Sequence, residues 1–228
     1  HIYANEYASP FHYPLLALVA SGGNSEIVLL EKEMDFKIVG ETEDDAIGEA
    51  FDKVARELGL PYPGGVMIDK ISQSPDIKTF PLPTPKVEGY NLSYSGLKSH
   101  IVRMIAKEPR DDEGKLLPET VKSYARSTEE HFVNLLLNRV EKAAEDFKVK
   151  QIVVGGGVSA NSYLRSEVKR RFASRTDLEV VIPPLWCTTD NAAMIAMTAH
   201  HMIHLGLLAD LSCTSQPNRP LEGEGKKI

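Results

Sequence analysis

Residues 152–161 read I-V-V-G-G-G-V-S-A-N. An apolar, β-branched run stops at three consecutive glycines, and a segment of helical character follows. Residues 15–26, L-L-A-L-V-A-S-G-G-N-S-E, repeat the theme. Short apolar runs bounded by glycine predict buried strands that end in tight turns. Glycines let backbone N–H groups converge on an anion, and a helix that starts after the turn adds its positive end. Ser21, Gly22, Gly23, Asn24 and Ser25 therefore form a candidate phosphate turn. Gly155, Gly156 and Gly157 form a candidate nucleotide contact. A tight strand connection is the plainer alternative for each. Neither stretch is a GxxxxGK[ST] loop or a GxGxxG fingerprint. Two such turns in one chain point to a different nucleotide fold, in which two related α/β halves face each other across a cleft.

Working outward, residues 26–30 pair with 15–20 as a hairpin-like unit, and 36–40 predict a third strand. Ile47, Ala50, Phe51, Val54, Ala55 and Leu58 follow helical spacing. Asp44 or Asp45 can cap the start of that helix and Gly59 suits its end. Residues 61–65, P-Y-P-G-G, read as a turn. Pro75, Pro81, Pro83 and Pro85 mark 73–95 as extended and loop-rich. Helices are expected over 96–107 and 119–147, the latter with Tyr124, Phe132, Leu135, Leu136 and Val140 on its apolar side. A strand at 150–154, a helix at 159–172, a strand at 178–183 and an apolar helix from 190 complete the order. That last helix packs either in the core or at a dimer surface; the core is favoured, because apolar helices of this length usually pack internally. The alternation of strands and helices indicates an α/β layer architecture.

The chain has 228 residues, 42% hydrophobic, with a formal net charge of −6, which suits a globular protein of one or two domains. The mild acidity argues against a simple nucleic-acid coat protein. Two cysteines form no disulfide framework and no metal-type spacing, as expected in a reducing cytosol. The apolar stretches are too short or too interrupted to predict a membrane span. The opening, H-I-Y-A-N-E-Y-A, reads as the middle of a longer protein. Lys98, Arg103, Lys107 and Arg110, and then Lys169, Arg170, Arg171 and Arg175, form two basic clusters. They are either solvated helix faces or a phosphate track. His200, His201 and His204 lie on the last helix, but a zincin-like pair would need a Glu at position 201, which excludes a metalloprotease of that kind.

The set A-S-G-G-N-S-E, G-E-A-F-D-K-V-A-R-E-L-G-L-P-Y-P-G-G, S-Y-S-G-L-K, V-G-G-G-V-S-A-N and T-T-D-N-A-A-M-I-A closely resembles the TsaD family of bacterial tRNA adenosine threonylcarbamoyltransferases. The resemblance runs over nearly the whole chain. It implies a two-lobed α/β fold of the actin/Hsp70/sugar-kinase type with its N-terminal lobe incomplete. Residues 1–30 would be the remainder of that lobe, 31–211 the second lobe with a helical, proline-rich insertion at 66–147, and 212–228 a flexible tail.

The implied reaction transfers threonylcarbamoyl from threonylcarbamoyl-AMP to N6 of adenosine 37 in tRNAs reading codons that begin with A. By resemblance, Ser21 to Ser25 hold the phosphate or carbamoyl end of the adenylate, and Asp52, Gly65, Gly156, Gly157 and Asn161 contact the nucleotide. His1 and Asp190 ligate one divalent metal ion, iron or zinc. Asn24 stands where the family usually has histidine. The plainer readings are an i,i+4 pair of Asp52 with Arg56, a helix cap at Asp190 and a turn residue at Asn161. The implied partners are tRNA, a TsaB-like paralogous subunit and a TsaE-like small ATPase, with the donor supplied by a TsaC-type synthase, all in the cytoplasm and with no membrane. The 228 residues alone are expected to be inactive. A non-catalytic paralogue serving as a scaffold is the alternative.

Overall fold

A computed structural model describes residues 1–214, 221, 223 and 224. Three strands follow one another as an antiparallel meander: β1 (Leu15–Ala20), β2 (Ser25–Leu30) and β3 (Asp35–Glu41). Helices α1 (Ile47–Glu57), α2 (Gly64–Ser72), α3 (Ser95–Ile105) and α4 (Pro118–Asp146) come next. The chain then returns to the sheet as β4 (Gln151–Gly155), passes through a 3-10 turn at Gly157–Ala160 into α5 (Ser162–Phe172), and adds β5 (Glu179–Val181). Helix α6 (Ala192–His204) follows, and Gly223–Glu224 form a short edge strand, β6. The sheet order among the described residues is β5-β4-β1-β2-β3-β6, with β4 parallel to both β1 and β5.

Strands β1 and β4 are buried along their whole length, as central strands covered on both faces must be. Leu16, Leu18, Ile27, Leu29, Ile152 and Val154 point to one face. They meet Phe51 of α1, Ile68 of α2, Ile101 of α3, Phe132 of α4 and Leu164 of α5 in one large core. Phe132 stacks against both Phe51 and Tyr94, at 5.1 and 5.2 Å between ring centres. Leu15, Ala17, Val19, Val28, Leu30 and Val153 point to the other face, where Ile2, Phe11 and Tyr13 of the opening segment cover them.

Several expectations need correction. The boundary placed after residue 30 falls between β2 and β3, which are hydrogen-bonded neighbours in one sheet. Residues 15–30 therefore belong to the same layer as β4 and β5. Residues 66–147 are not an insertion beside the fold, because their helices build its main core. Most of the tail at 212–228 lies outside the described residues. Helix α6 has no buried residue, with Ile195 and Ile203 at 63% and 60% exposure, so it does not pack internally. It lies against the opening segment, with the Tyr7 hydroxyl donating to Ala193 O at 3.0 Å. Its His201 is wedged between carboxylates, with Nε2 2.6 Å from Glu6 and Nδ1 bonded to Glu33, while the Tyr3 ring stacks on it at 4.3 Å. Among the described residues no helix is long and apolar enough to cross a membrane.

Candidate functional site

Both glycine turns emerge at the same edge of the sheet, because β1 and β4 are parallel neighbours. Gly156 has φ +86°, and a Cβ there would overlap the Ala20 carbonyl oxygen. The second turn is thus pressed against the start of the first. The backbone of Gly155 meets that of His1, with a Cβ at Gly155 falling 3.0 Å from His1 O. The metal candidate therefore joins the same edge: His1 Nε2 lies 3.2 Å from Asp190 Oδ1.

The first turn is closed by its own serine. The Ser21 hydroxyl accepts from Asn24 N at 2.9 Å and from Gly23 N at 3.3 Å, and Ser21 N donates to Asn24 O at 2.8 Å. Two of the N–H groups expected to face an anion are thus engaged within the turn. Positions Gly22 and Gly23 open on empty space, with nothing within 4 Å of where a Cβ would stand, and neither has positive φ. Ser25 turns inward and is buried. Its Oγ accepts from Ile47 N at 2.8 Å and so caps α1. Neither Asp44 nor Asp45 performs that task. Burial works to raise the Asp44 carboxyl, but hydrogen bonds from Ser93 and from the Tyr94 and Ser95 amides hold it below the usual range and anchor the start of α3. Asp45 binds Lys53 and Lys98 at 2.8 and 2.6 Å.

The remaining candidates form a relay of polar links between helices. Asp52 does not pair with Arg56; its Oδ1 accepts from Gly65 N at 3.2 Å and anchors the first turn of α2. The steric demand for glycine lies at Gly64, where a Cβ would collide with α1 at Ala55 and Asp52, whereas a Cβ at Gly65 would make ordinary contact with Phe51 at 3.6 Å. From α2, Asp69 accepts from Ser162 N at 3.0 Å and bonds the Ser162 hydroxyl. Beside it, Asn161 Oδ1 accepts from Leu164 N at 2.8 Å, capping α5, and Asn161 Nδ2 donates to Glu129 Oε1 of α4 at 2.7 Å. Burial pushes the Glu129 carboxyl up to about 7, against the pull of the Asn161 bond.

Sequence reasoning missed Asp69 and Glu129. Asp69 carries no signal, because the residues before it read as a turn. Glu129 does carry one: it stands in line with Ala125, Phe132, Val133 and Leu136, all buried, so a carboxyl interrupts the apolar stripe of α4. The cap at α6 is Asn191, whose Oδ1 accepts from Met194 N at 2.9 Å, and this leaves the Asp190 side chain 90% exposed beside His1. Most of the second basic cluster is committed to ion pairs. Arg170 and Arg171 bind Glu167, Arg171 also binds Glu141, and Arg175 binds Asp177. Lys98 is likewise held by Asp45. A continuous phosphate track would have to rest on Arg103, Lys107, Arg110 and Lys169, which are exposed.

The donor set of His1 and Asp190, one imidazole and one carboxylate, fits a divalent transition ion. Among the described residues no third histidine, cysteine or carboxylate joins them. His1 Nδ1 is buried without a hydrogen-bond partner among the described residues, which leaves Nε2 as the nitrogen facing the carboxylate.

Solved structures share this architecture. A full-length HypF in a phosphate- and nucleotide-bound form superposes with a TM-score of 0.67 over 91% of this chain and 35% of that one, at 11% identity. The HypF of T. kodakarensis gives 0.62 over 90% and 36%, at 14% identity. These likenesses establish the fold, which is of the actin/Hsp70/sugar-kinase type. Among curated relatives, the tRNA N6-adenosine threonylcarbamoyltransferases of Bacillus licheniformis and Thermosipho africanus are each 41% identical, over 97% and 96% of this chain. The chain spans 64% and 65% of their lengths. The family model described as "TsaD: tRNA N6-adenosine threonylcarbamoyltransferase" matches residues 1–197. The chain therefore belongs to the TsaD family.

Proposed function

We propose that the chain holds the adenylate of threonylcarbamoyl-AMP at the shared edge of β1 and β4. Within the full-length protein, the threonylcarbamoyl group passes from there to N6 of adenosine 37 in tRNAs reading codons that begin with A. The observation that carries this reading is the convergence at one sheet edge of both glycine turns and the His1–Asp190 pair.

In this reading the N6 amine attacks the carbamoyl carbon, the bond from that carbon to the phosphate oxygen breaks, N6 gives up a proton and AMP departs. An acyl adenylate already carries a good leaving group, so the protein mainly positions and stabilises charge. Gly22 and Gly23 leave the approach to the phosphate clear. The links from Asp52 to Gly65 and from Asp69 to Ser162 hold α1, α2 and α5 around the nucleoside. His1 and Asp190 would hold the divalent ion, iron or zinc, which when bound supplies Lewis-acid polarisation of a carbonyl. The partners are tRNA, a paralogous subunit and a small ATPase, and the setting is the cytoplasm.

The test is single-turnover transfer of radiolabelled threonylcarbamoyl from its adenylate to unmodified tRNA by the full-length protein. Label should reach the tRNA with wild type and fall at least tenfold with Asp190→Ala. Absence of transfer with every partner mixture, while AMP still binds, would replace the transferase reading with that of a scaffold.

A further inference from the structure

Glu129 stands out among groups that the proposed reaction does not use. It is a carboxyl at 1% exposure in the main core. Carboxyls are almost never buried to this degree without a partner. Its partner is the carboxamide of Asn161, and that carboxamide is held at both ends. The oxygen accepts from Leu164 N at 2.8 Å, and the nitrogen donates to Glu129 at 2.7 Å. With those two bonds made, the amide cannot flip without losing both. One Nδ2 hydrogen remains to be offered elsewhere. Asn161 directly follows the 3-10 turn that continues the second glycine stretch, at the sheet edge where the adenylate is placed.

We propose that Glu129 is a positioning residue, which fixes the carboxamide of Asn161 from inside the core in the orientation offered to the nucleotide. This rests on the reading of the glycine-turn edge as an adenylate site.

The surroundings give the proposal a pH dependence. Burial is the main cause that lifts the Glu129 carboxyl to about 7, and the like charge of Asp69 on α2 adds to it. The Asn161 amide on α5, the Ser72 hydroxyl on α2 and the Arg126 guanidinium on α4 pull the other way. Arg126 is itself shared with Glu130 at 2.5 Å and with Ser72 O at 2.8 Å. A phosphate arriving nearby brings more negative charge, which favours the protonated carboxyl. By linkage, the nucleotide binds more tightly where Glu129 is neutral, and binding weakens as pH rises through about 7.

The experiment is calorimetric titration of the chain with AMP between pH 5.5 and 8.5, with Glu129→Gln and Glu129→Ala alongside. Wild-type affinity should fall several-fold from pH 6 to pH 8. Glu129→Ala leaves Asn161 Nδ2 without its buried acceptor and should cost about tenfold at pH 6. Glu129→Gln restores an acceptor and should recover most of that loss, with a pH profile that keeps only the titration of the AMP phosphate itself, whose second proton leaves at about pH 6. A profile that titrates equally in wild type and Glu129→Gln, or an unchanged affinity in Glu129→Ala, overturns the proposal. The Asn161 side-chain amide resonance separates its failure from that of the adenylate site. If no variant binds AMP, the adenylate reading falls. A wild-type resonance that moves near pH 7 and stays still in Glu129→Gln then keeps Glu129 as the group that sets Asn161, while a resonance still in both removes that too.

Discussion

The two glycine turns look alike in sequence and differ in what glycine does in them. In the second, the chain itself makes the demand: Gly156 sits at φ +86° with its α-carbon against the Ala20 carbonyl. In the first, a Cβ at Gly22 or Gly23 would meet nothing within 4 Å and neither has positive φ, although Gly48 of α1 packs against the backbone of Gly22, and the turn is closed by the Ser21 hydroxyl. In the second turn Gly156 is glycine for packing, while Gly157 beside it opens on empty space. The first turn is glycine although packing would accept a larger residue. The open space beside Gly22 and Gly23 leaves room for a ligand to approach the turn.

The difference can be broken most directly at Gly156. Gly156→Ala should destabilise the chain by roughly 3 kcal/mol or more, since left-handed strain and overpacking add. Gly157→Ala, where a Cβ would meet nothing, should change stability by less than about 0.5 kcal/mol. Urea unfolding of both variants decides the matter. Equal midpoints would show that the second turn has as much slack as the first.

The first turn is tied to the fold through Ser25, whose hydroxyl caps α1 across the hairpin. Ser25→Ala should cost about 1–2 kcal/mol, the usual loss for a cap, with the buried Ile47 N–H left unpaired. Ser25→Thr should retain most of it. If Ser25→Ala unfolds at the wild-type urea concentration, α1 starts independently of the turn, and the two turns differ less than their contacts indicate.

The metal side of the site depends on α6, which is held to the opening segment by the contacts of His201 and Tyr7 rather than by a buried face. Burial lowers the affinity of His201 for its proton, but Glu33 and Glu6 outweigh this and raise it above its ordinary value. A raised histidine stabilises fully below about pH 6.5 and loses its contribution as pH climbs through the folded value. His201→Gln should therefore cost about 1 kcal/mol at pH 5.5, after discounting for solvent screening, and almost nothing at pH 9. Thermal melts at the two values test this, and a cost that grows with pH would sink it.

How far the sequence shows this depends on the range of each interaction. Strands β1 and β4 and helix α1 were legible because burial and periodicity are written in adjacent residues, as at Ile47, Ala50, Phe51, Val54 and Ala55. The pairing of β1 with β4 was not, because a parallel partner is recruited from far along the chain. Helix α2 was missed because P-Y-P-G-G reads as punctuation, whereas Asp52 of the preceding helix supplies the anchor for its first turn. Helix α6 was expected inside because its composition is apolar, but composition does not say which surface a helix meets. Of the candidate site, the grouping of the turns with His1 and Asp190 was implied by the family resemblance alone, since no pattern in adjacent residues ties them together. The roles of Ser25 as a cap and of Asp69 and Glu129 as links did not, since each depends on a partner that only the folded chain supplies.

The smallest expected change in stability is also the most informative for function. Gly22→Ala places a methyl group where nothing lies within 4 Å and requires no unusual φ, so its effect on stability should stay within about 0.5 kcal/mol. If the space is kept open for a phosphate, that methyl stands where the ligand must approach, and AMP affinity should drop by about tenfold or more. The two measurements are independent, because unfolding reads the turn and titration reads the space beside it. A variant that folds normally and binds poorly separates the two turns by what they are for. A variant that folds and binds normally shows that the open space at Gly22 serves no adenylate, and the weight of the site would then move to Gly156, Gly157 and Asn161.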